Sequence, residues 1–481
     1  MPPASSTPTG RPVQTARYPN TIWSPITEDA FRHHLVTLAK QTNAVPMDVL
    51  TAADIDHHNS SLFLPLATEK KVADDLAYIA AVTEGAQSVA AVCLEQHIGN
   101  PIVPDHPTLA IRVAGMDVIN EDVKRMLQAT VAELQSHAQP MTLERQNSTE
   151  TIFRLIVQQH EQKLLGRLRS KKWTKPKHLA RTHKKPLWQD FDNLLHRAQH
   201  IYPRKSERKT REAIATSVQE IRKLYESFET SNTPTPQALE ELVKTTFSWC
   251  KAPLLGDYAS KLESAGDTRQ VAAAIKTLRQ LEKIGAYWRI AQDLVTVASR
   301  YPHVFRNIAV EYISPYASVP TSIAYESWAH TCHVHAEIQL LVELAKSASE
   351  DEQVDAASAV VRPRTIGTSK YLCYLCYLFL RYHGGFQMLS THGRLYDQWT
   401  VPDLAEYDAA TRRKFASVLE HMDEHVLQQI QETEAVVWRA EPMTSRQNLL
   451  LGPGADGLRE GRDVGLDADA LEVGVDGLGL S

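Results

Sequence analysis

The 481-residue sequence lacks the long apolar runs of a membrane protein and the leader of a secreted one. No apolar run approaches the roughly 20 residues that a membrane-spanning helix needs. The first residues also lack a basic stretch followed by an apolar one, the pattern that directs secretion. These absences predict an intracellular protein, cytoplasmic or nuclear, that has no transmembrane segment.

Cysteine is scarce as well. The chain has five cysteines, an odd number that is too small for a disulfide framework in a protein of this length: Cys93, Cys250, Cys332, Cys373 and Cys376. We therefore expect reduced thiols. The close pair, Cys373 and Cys376, is then more readily explained as metal-binding or redox-active.

A strong excess of one charge is also missing. The formal net charge is -5, which argues against a protein that binds nucleic acid along its whole length and against an acidic, solvated one. With 43% hydrophobic residues the chain has enough apolar material for true cores, and its length suggests two or three domains.

Local patterns divide the chain into four parts. Residues 1–20 are rich in Pro, Ser and Thr, and residues 451–481 are acidic and glycine-rich, so both ends are predicted to be disordered. Residues 21–300 form a predicted helical domain. Its evidence is the alanine-rich stretch VADDLAYIAAVTEGAQSVAAVCLEQ and three- to four-residue apolar spacing in two places: Ile214, Val218, Ile221, Leu224 and Phe228, then Val271, Ile275, Leu278, Leu281, Ile284 and Trp288.

Beyond about residue 300 the pattern alternates between strand and helix. The predicted strands are VFRNIAVEYI, RTIGTSK and STHGRLYDQWTV, and the predicted helices are HAEIQLLVELAKSA, YLCYLCYLFLRYH and about 408–434. Such alternation is typical of a layered α/β unit, which we place at residues 301–450.

Within this part, three residues form a possible zinc ligand set: His335, Cys373 and Cys376. Catalytic zinc usually takes three protein ligands and leaves a fourth position for water. The CxxC spacing places both sulfurs on one face of a helical turn, where the free amide groups favour the thiolate. Glu337 would lie about 200° from His335 on a regular helix, so the two can share a site only where a helix begins.

HxE followed by CxxC resembles the signature of the zinc-dependent nucleobase and nucleotide deaminases. More narrowly, HAEIQLL, IGTSKYLCYLC and HGRLYDQWTVP are similar to a fungal deaminase-like family related to domains of bacterial toxins. The resemblance implies a cytidine-deaminase-like mixed sheet sandwiched by helices, with zinc held by His335, Cys373 and Cys376. Glu337 would carry protons in a hydrolysis that releases ammonia from a nucleobase. Leu372 stands where the common signature has proline.

Other residues near these motifs have weaker signals. His383, His392 and Tyr396 are candidates for binding substrate, although we favour packing or a surface loop as the explanation for each of them. Cys332 and His333 flank the motif and are expected to support it rather than to bind a second metal. Ser369 is predicted to cap the CxxC helix.

A basic segment, residues 163–185, holds ten Lys or Arg, one Trp and no acid. Such a segment can follow a phosphate backbone and stack a base on Trp173, but it is also typical of a solvated loop or a localisation signal, which we favour. The resemblance implies that the substrate is a nucleoside, a nucleotide or single-stranded nucleic acid, and binding of nucleic acid by this segment would favour a polymer.

Two further functions stay open from sequence. A non-catalytic interaction protein stabilised by zinc would keep the ligands, but it has no use for Glu337. A thiol redox protein would use the CxxC pair, but it leaves the HAE motif unexplained and lacks the polar surroundings of an exposed redox pair.

Overall fold

The computed structural model describes residues 21–42, 45, 63–83, 88–97, 108–139, 147–175, 185–231, 236–266, 268–351, 360–387, 389–432 and 449–450. The chain forms two compact units. Met1–Thr142 and Thr296–Glu441 make up the first, which we call the sheet unit, and Leu143–Val295 and Pro442–Ser481 make up the second, the helical unit.

A mixed sheet organises the sheet unit. Its central strand β1 (Ala90–His97) pairs antiparallel with β2 (Leu109–Gly115), and β2 pairs parallel with β3 (Ile308–Ile313). On its other side β1 meets two short strands, also antiparallel: β6 (Val360–Val361) and β7 (Gly367–Thr368). A separate ribbon consists of β4 (Val319–Pro320) and β5 (Thr331–Cys332).

The sheet unit also contains helices, some of which pack on the sheet. They are α1 (Glu28–Gln41), α2 (Leu66–Ala80), α3 (Glu121–Ala138), α11 (Ala336–Asp351), α12 (Tyr374–His383) and α13 (Ala409–Glu432). α2 packs on β1 and β7, and α11 packs on β1 and β2. Every residue of Ala90–Leu94 is buried, as expected of a central strand with side chains on both faces. The predicted mixed α/β fold is thus confirmed.

The core around α11 and α12 is strongly apolar. All residues from Tyr374 to Leu380 are at most 1% exposed, so the CxxC helix is buried on every side over two turns. Ala91 and Cys93 of β1 belong to the same core. The start of α12 is consequently held in place by packing against the sheet and its neighbouring helices.

The helical prediction for the alanine-rich stretch after residue 71 was wrong in its second half. α2 ends at Ala80, and from Ala90 the chain is strand β1. Alanine favours helix, but here strand pairing with β2, β6 and β7 outweighs that local preference. As a result the structure divides the chain differently from the predicted boundary at about residue 300, because residues before 142 share the sheet of those after 296.

The predicted strand STHGRLYDQWTV is not a regular strand. Between Ser390 and Thr400 it makes single bridges, Leu372 with Thr391 and His333 with Trp399. The turn at Gly393 interrupts it: this residue has φ +70°, and an added Cβ would lie 2.3 Å from the Val45 carbonyl oxygen. We call residues 390–400 the strap.

The helical unit contains α4 (Ser148–Gln159), α5 (Glu161–Leu168), α6 (Phe191–Ile201), α7 (Arg208–Thr230), α8 (Pro236–Lys251), α9 (Pro253–Ser264) and α10 (Arg269–Arg300), the last as far as Val295. The apolar spacing that predicted helices is confirmed in α7 and α10, where Ile214, Val218, Leu278 and Leu281 are buried. Leu449 and Leu450 are also buried in this unit, and the Leu450 N–H donates to Glu282.

Among the described residues, no helix combines the length and the apolar character that crossing a membrane requires. The tails predicted to be disordered, 1–20 and 451–481, lie outside the described residues.

Candidate metal centre

Two helix starts bring the predicted ligands together. His335 immediately precedes α11, and its carbonyl oxygen accepts the Gln339 N–H at 3.0 Å, the first hydrogen bond of that helix. Cys373 is the N-cap of α12, where its sulfur accepts the Cys376 N–H at 3.4 Å. A sulfur in this position lies close to the positive end of the helix, which favours its anionic form.

The distances between donor atoms fit a tetrahedral zinc ion. Nδ1 of His335 lies 3.5 Å from Sγ of Cys373 and 3.4 Å from Sγ of Cys376, and the three donor atoms all lie within 4.8 Å of one another. Zn–N and Zn–S bonds of about 2.0 and 2.3 Å at tetrahedral angles would put nitrogen and sulfur about 3.5 Å apart. Both cysteines are buried, while His335 is part-exposed, so the cluster reaches solvent on the imidazole side.

The two sulfurs differ in their electrostatic surroundings. Burial disfavours the Cys373 thiolate, but hydrogen bonding from Cys376 and the neighbouring His335 outweigh it and hold the pKa of Cys373 well below its usual range. Burial, together with the adjacent Cys373, raises the pKa of Cys376 well above the usual range. A dication in contact with both sulfurs would favour the second thiolate as well.

Glu337 lies beside the cluster without being part of it. Its side chain is buried in the first turn of α11, and its Oε2 is 3.6 Å from Sγ of Cys376. Burial raises the pKa of this carboxyl, although His335 opposes the shift. Because His335 precedes the helix rather than belonging to it, both residues reach one site, as the sequence reasoning required.

Sequence reasoning missed Trp399. Its indole Nε1–H donates to Sγ of Cys376 at 3.3 Å, and the side chain is 1% exposed between Phe31 and Phe379. A donor of this kind orients a metal-binding sulfur and tunes its basicity. The signal available in the sequence was a tryptophan inside HGRLYDQWTVP, which has no fixed spacing to CxxC.

The strap fixes the two helix starts relative to each other through backbone hydrogen bonds. Near the CxxC motif, the Leu372 N–H donates to the Ser390 carbonyl at 3.0 Å and the His392 N–H donates to the Leu372 carbonyl at 3.1 Å. Near the HAE motif, the His333 N–H donates to Gln398 at 2.7 Å and the Thr400 N–H to His333 at 3.0 Å. One segment thus sets the separation between His335 and the cysteines.

The candidates for substrate binding fall into two groups. The ring of Tyr396 lies 6.3 Å from that of His335, so Tyr396 is close to the cluster, and the His392 ring lies 6.1 Å from that of Tyr396. His383 is not: it ends α12, about 15 Å along the helix from Cys373 by the rise per residue, and packs against Phe386 and Phe415.

The supporting residues have defined surroundings. Cys332 is fully buried and accepts a hydrogen bond from the Arg32 guanidinium. The His333 backbone pairs with the strap, and its ring lies 3.3 Å from the Thr331 hydroxyl. Ser369 does not cap the CxxC helix, because its hydroxyl accepts the Ala90 N–H at 3.1 Å and Cys373 takes the capping position.

The basic segment 163–185 is described as far as Lys175 and again at Lys185. In this part, Arg169 and Lys185 both form ion pairs with Asp190, and Lys172 donates to the Phe228 carbonyl and lies 4.7 Å from the Phe228 ring. These contacts hold Arg169, Lys172 and Lys185 against the helical unit, whereas the sequence favoured a solvated loop or a localisation signal. Residues 176–184 lie outside the described part.

Comparison with protein families gives a match to part of the chain. Residues 334–403, from the HAE motif through the strap, match the family model of the OTT_1508-like deaminases, so this part of the chain is deaminase-like, as its sequence predicted. No curated protein and no solved structure matches the chain significantly.

Proposed function

We propose that the sheet unit is a zinc-dependent hydrolytic deaminase that removes an amino group from a nucleobase and releases ammonia. The observation that supports this most is the position of Glu337. It is a buried carboxylate 3.6 Å from one sulfur of a three-donor cluster, but it is not a member of the group that could hold the ion. The match of residues 334–403 to a deaminase family agrees with this assignment.

His335, Cys373 and Cys376 would hold the zinc ion, because their donor atoms have the separations and chemistry of a three-ligand catalytic site. Zinc in such a site supplies Lewis acidity, which makes a water molecule acidic enough to lose a proton near neutral pH. Trp399 would keep the sulfur of Cys376 oriented, and the buried α12 would exclude competing solvent from behind the sulfurs.

Glu337 would move the protons of the reaction. Its carboxylate takes a proton from the attacking water and delivers it to the ring nitrogen beside the amidine carbon. The oxygen of that water forms a bond to carbon, the bond from carbon to the exocyclic nitrogen breaks, and a second proton transfer lets that nitrogen leave as ammonia. Burial raises the pKa of this carboxyl, which brings it closer to neutral pH and so favours a group that both accepts and returns a proton.

The alternative is a non-catalytic protein that keeps the fold and the metal. A structural zinc site is normally closed by four protein ligands, whereas only three donors cluster among the described residues. The redox alternative has less support, since both sulfurs are buried and engaged with His335 and Trp399 rather than exposed.

The test is ammonia release by the full-length, zinc-loaded protein across a panel of nucleosides, nucleotides and single-stranded oligonucleotides. Wild type should deaminate at least one compound, and Glu337→Gln should lower kcat/KM on it about 100- to 10,000-fold, the usual contribution of positioned proton transfer. The matched control is Glu282→Gln, which changes a buried carboxyl of the helical unit and should leave the activity of folded protein unchanged.

Wild-type protein that carries zinc and releases no ammonia from any compound would favour the non-catalytic alternative. Equal activity of wild type and Glu337→Gln would remove Glu337 from the mechanism.

A further inference from the structure

Part of the strap adjoins the metal centre. Arg394 and Tyr396 are part-buried, and the Arg394 guanidinium lies over the Tyr396 ring. Their contact places these two side chains on the same side of the strap, beyond the turn at Gly393. Since Tyr396 lies next to His335, this is the side that adjoins the metal centre.

Arg394 is held firmly by its backbone. Its carbonyl oxygen accepts the Tyr374 N–H at 2.9 Å, at the first residue of the CxxC helix, and its own N–H donates to Nδ1 of His392 at 3.0 Å. Its Cζ lies 5.8 Å from the centre of the Tyr396 ring. Together with the 6.3 Å between the Tyr396 and His335 rings, this puts the guanidinium within about 12 Å of His335.

The guanidinium of Arg394 has no anionic partner among the described residues. Its Nη1 is buried and makes no hydrogen bond. Other part-buried arginines of the sheet unit are paired: Arg364 donates to the Glu69 carboxylate at 2.7 Å, and Arg412 lies 3.5 Å from Asp403. A buried cationic donor without an acceptor is unfavourable, so its presence beside a metal centre suggests that the acceptor is a ligand.

We propose that Arg394 binds a phosphate of the substrate, so that the substrate is a phosphorylated nucleotide or strand rather than a free nucleoside or base. The inference rests on the proposed function, because it takes the metal centre as the place of the base. The planar guanidinium matches the geometry of phosphate oxygens through two parallel hydrogen bonds. Tyr396 neighbours both this cation and His335, so its ring can support the sugar and base.

The test measures binding rather than turnover, using zinc-loaded, full-length protein and calorimetry. The probes are cytidine, adenosine and guanosine, each beside its 5′-monophosphate. Wild type should bind at least one monophosphate about 10-fold or more tightly than its nucleoside, as a charge-assisted bidentate contact provides. Arg394→Gln should abolish that preference while leaving nucleoside affinity unchanged, and Arg394→Lys should keep part of it.

Arg306→Gln is the matched control. Arg306 is exposed and precedes β3, whose first residue pairs with Leu109. The Gly115 carbonyl that accepts the Gln339 amide is at the other end of β2, so the control removes one positive charge far from α11. It should retain the preference for phosphate.

A second arm separates a mononucleotide from a strand. If the phosphate belongs to single-stranded nucleic acid, oligonucleotides should bind more tightly than monophosphates, and Arg394→Gln should flatten the dependence of log K on log salt by about 0.7, the value for one lost contact to a single strand. The inference would be overturned if nucleosides, monophosphates and strands bound equally tightly, or if no phosphorylated probe bound at all. It would also be overturned if Arg306→Gln lost the preference for phosphate to the same extent as Arg394→Gln. Each of these results is independent of whether ammonia is released.

Discussion

Buried cysteines of the two units behave differently although both are shielded from water. Cys250 of the helical unit is 1% exposed, and burial with Glu282 nearby raises its pKa well above the usual range. Cys373 of the sheet unit is 5% exposed, but its pKa falls well below that range because the neighbouring Cys376 and His335 outweigh the effect of burial. Burial alone therefore favours the protonated thiol of Cys250, whereas the helix start and its histidine favour the thiolate at Cys373.

Buried carboxylates show the same contrast. Glu282 of the helical unit accepts the Leu450 N–H at 3.1 Å and pairs with Arg279 at 3.3 Å, so its hydrogen bonds and charge are used to hold the unit together. Glu337 has no arginine or lysine partner among the described residues, and its Oε2 lies 3.6 Å from Sγ of Cys376. One carboxylate is used to hold its unit together, and the other lies beside the cysteine cluster, where the proposed mechanism needs a proton carrier.

The largest predicted effect comes from Cys373→Ser. This change should remove zinc, abolish activity and destabilise the sheet unit by several kcal/mol, because metal binding energy is also folding energy. Elemental analysis would measure the zinc content, and thermal unfolding would measure the loss of stability. Cys250→Ala, in the helical unit, should keep about one zinc per chain. Similar zinc contents in the two variants would contradict the proposed ligand set.

The next effect concerns two glycines with positive φ. Gly393 of the strap has φ +70° and an added Cβ would meet the Val45 carbonyl, whereas Gly266 of the helical unit has φ +83° with open space around it. Gly266→Ala should cost about 1 kcal/mol for backbone strain alone. Gly393→Ala should cost about 3 kcal/mol or more in the free energy of unfolding, since a backbone clash is added. Equal costs by chemical denaturation would show that the strap is not held as tightly as described.

His383 should make the stability of the sheet unit, and not that of the helical unit, depend on pH. Burial, with a smaller effect of Lys414, lowers its pKa to about 4. The unfolded state, with a pKa near 6.5, takes up the proton first as pH falls, so stability is full above about pH 6.5 and is lost towards pH 4. The loss from this residue is at most about 3 kcal/mol. His383→Leu should remove that part of the pH dependence, and an unchanged profile would contradict the shift.

The smallest effect is that of an indole donor. Trp399→Phe removes the N–H that bonds Cys376 and keeps most of the aromatic packing, so zinc affinity should fall about 10-fold with the fold intact. Trp249→Phe removes the matching donor to the Ser217 carbonyl in the helical unit. It should cost about 1 kcal/mol of stability and leave zinc affinity unchanged. Competition with a chelator would separate the two variants.

The sequence predicts much of the site because the site is built from short spacings. The HxE and CxxC spacings are enough to identify His335, Glu337, Cys373 and Cys376, since each pair lies at one helix start and local geometry decides its arrangement. The positions of the two pairs relative to each other depend on the strap, whose pairing with both segments joins residues far apart in sequence.

The missed parts depend on long-range contacts. β1 and β2 were assigned to a helical region because alanine-rich segments have local helix preference, and only pairing across the sheet makes them strands. Arg394 and Trp399 were likewise not singled out, because a lone arginine or tryptophan in an extended segment shows nothing of the site it adjoins. The predicted boundary at about residue 300 followed from the same error, since it left β1 and β2 out of the sheet.

The most direct test of the account is the zinc content of purified Glu337→Gln and Cys376→Ser measured side by side. If Glu337 carries protons and does not hold the metal, Glu337→Gln keeps about one zinc per chain, like wild type, and Cys376→Ser retains almost none. Loss of zinc from Glu337→Gln to the same extent as from Cys376→Ser would make the carboxylate a ligand and contradict the mechanism.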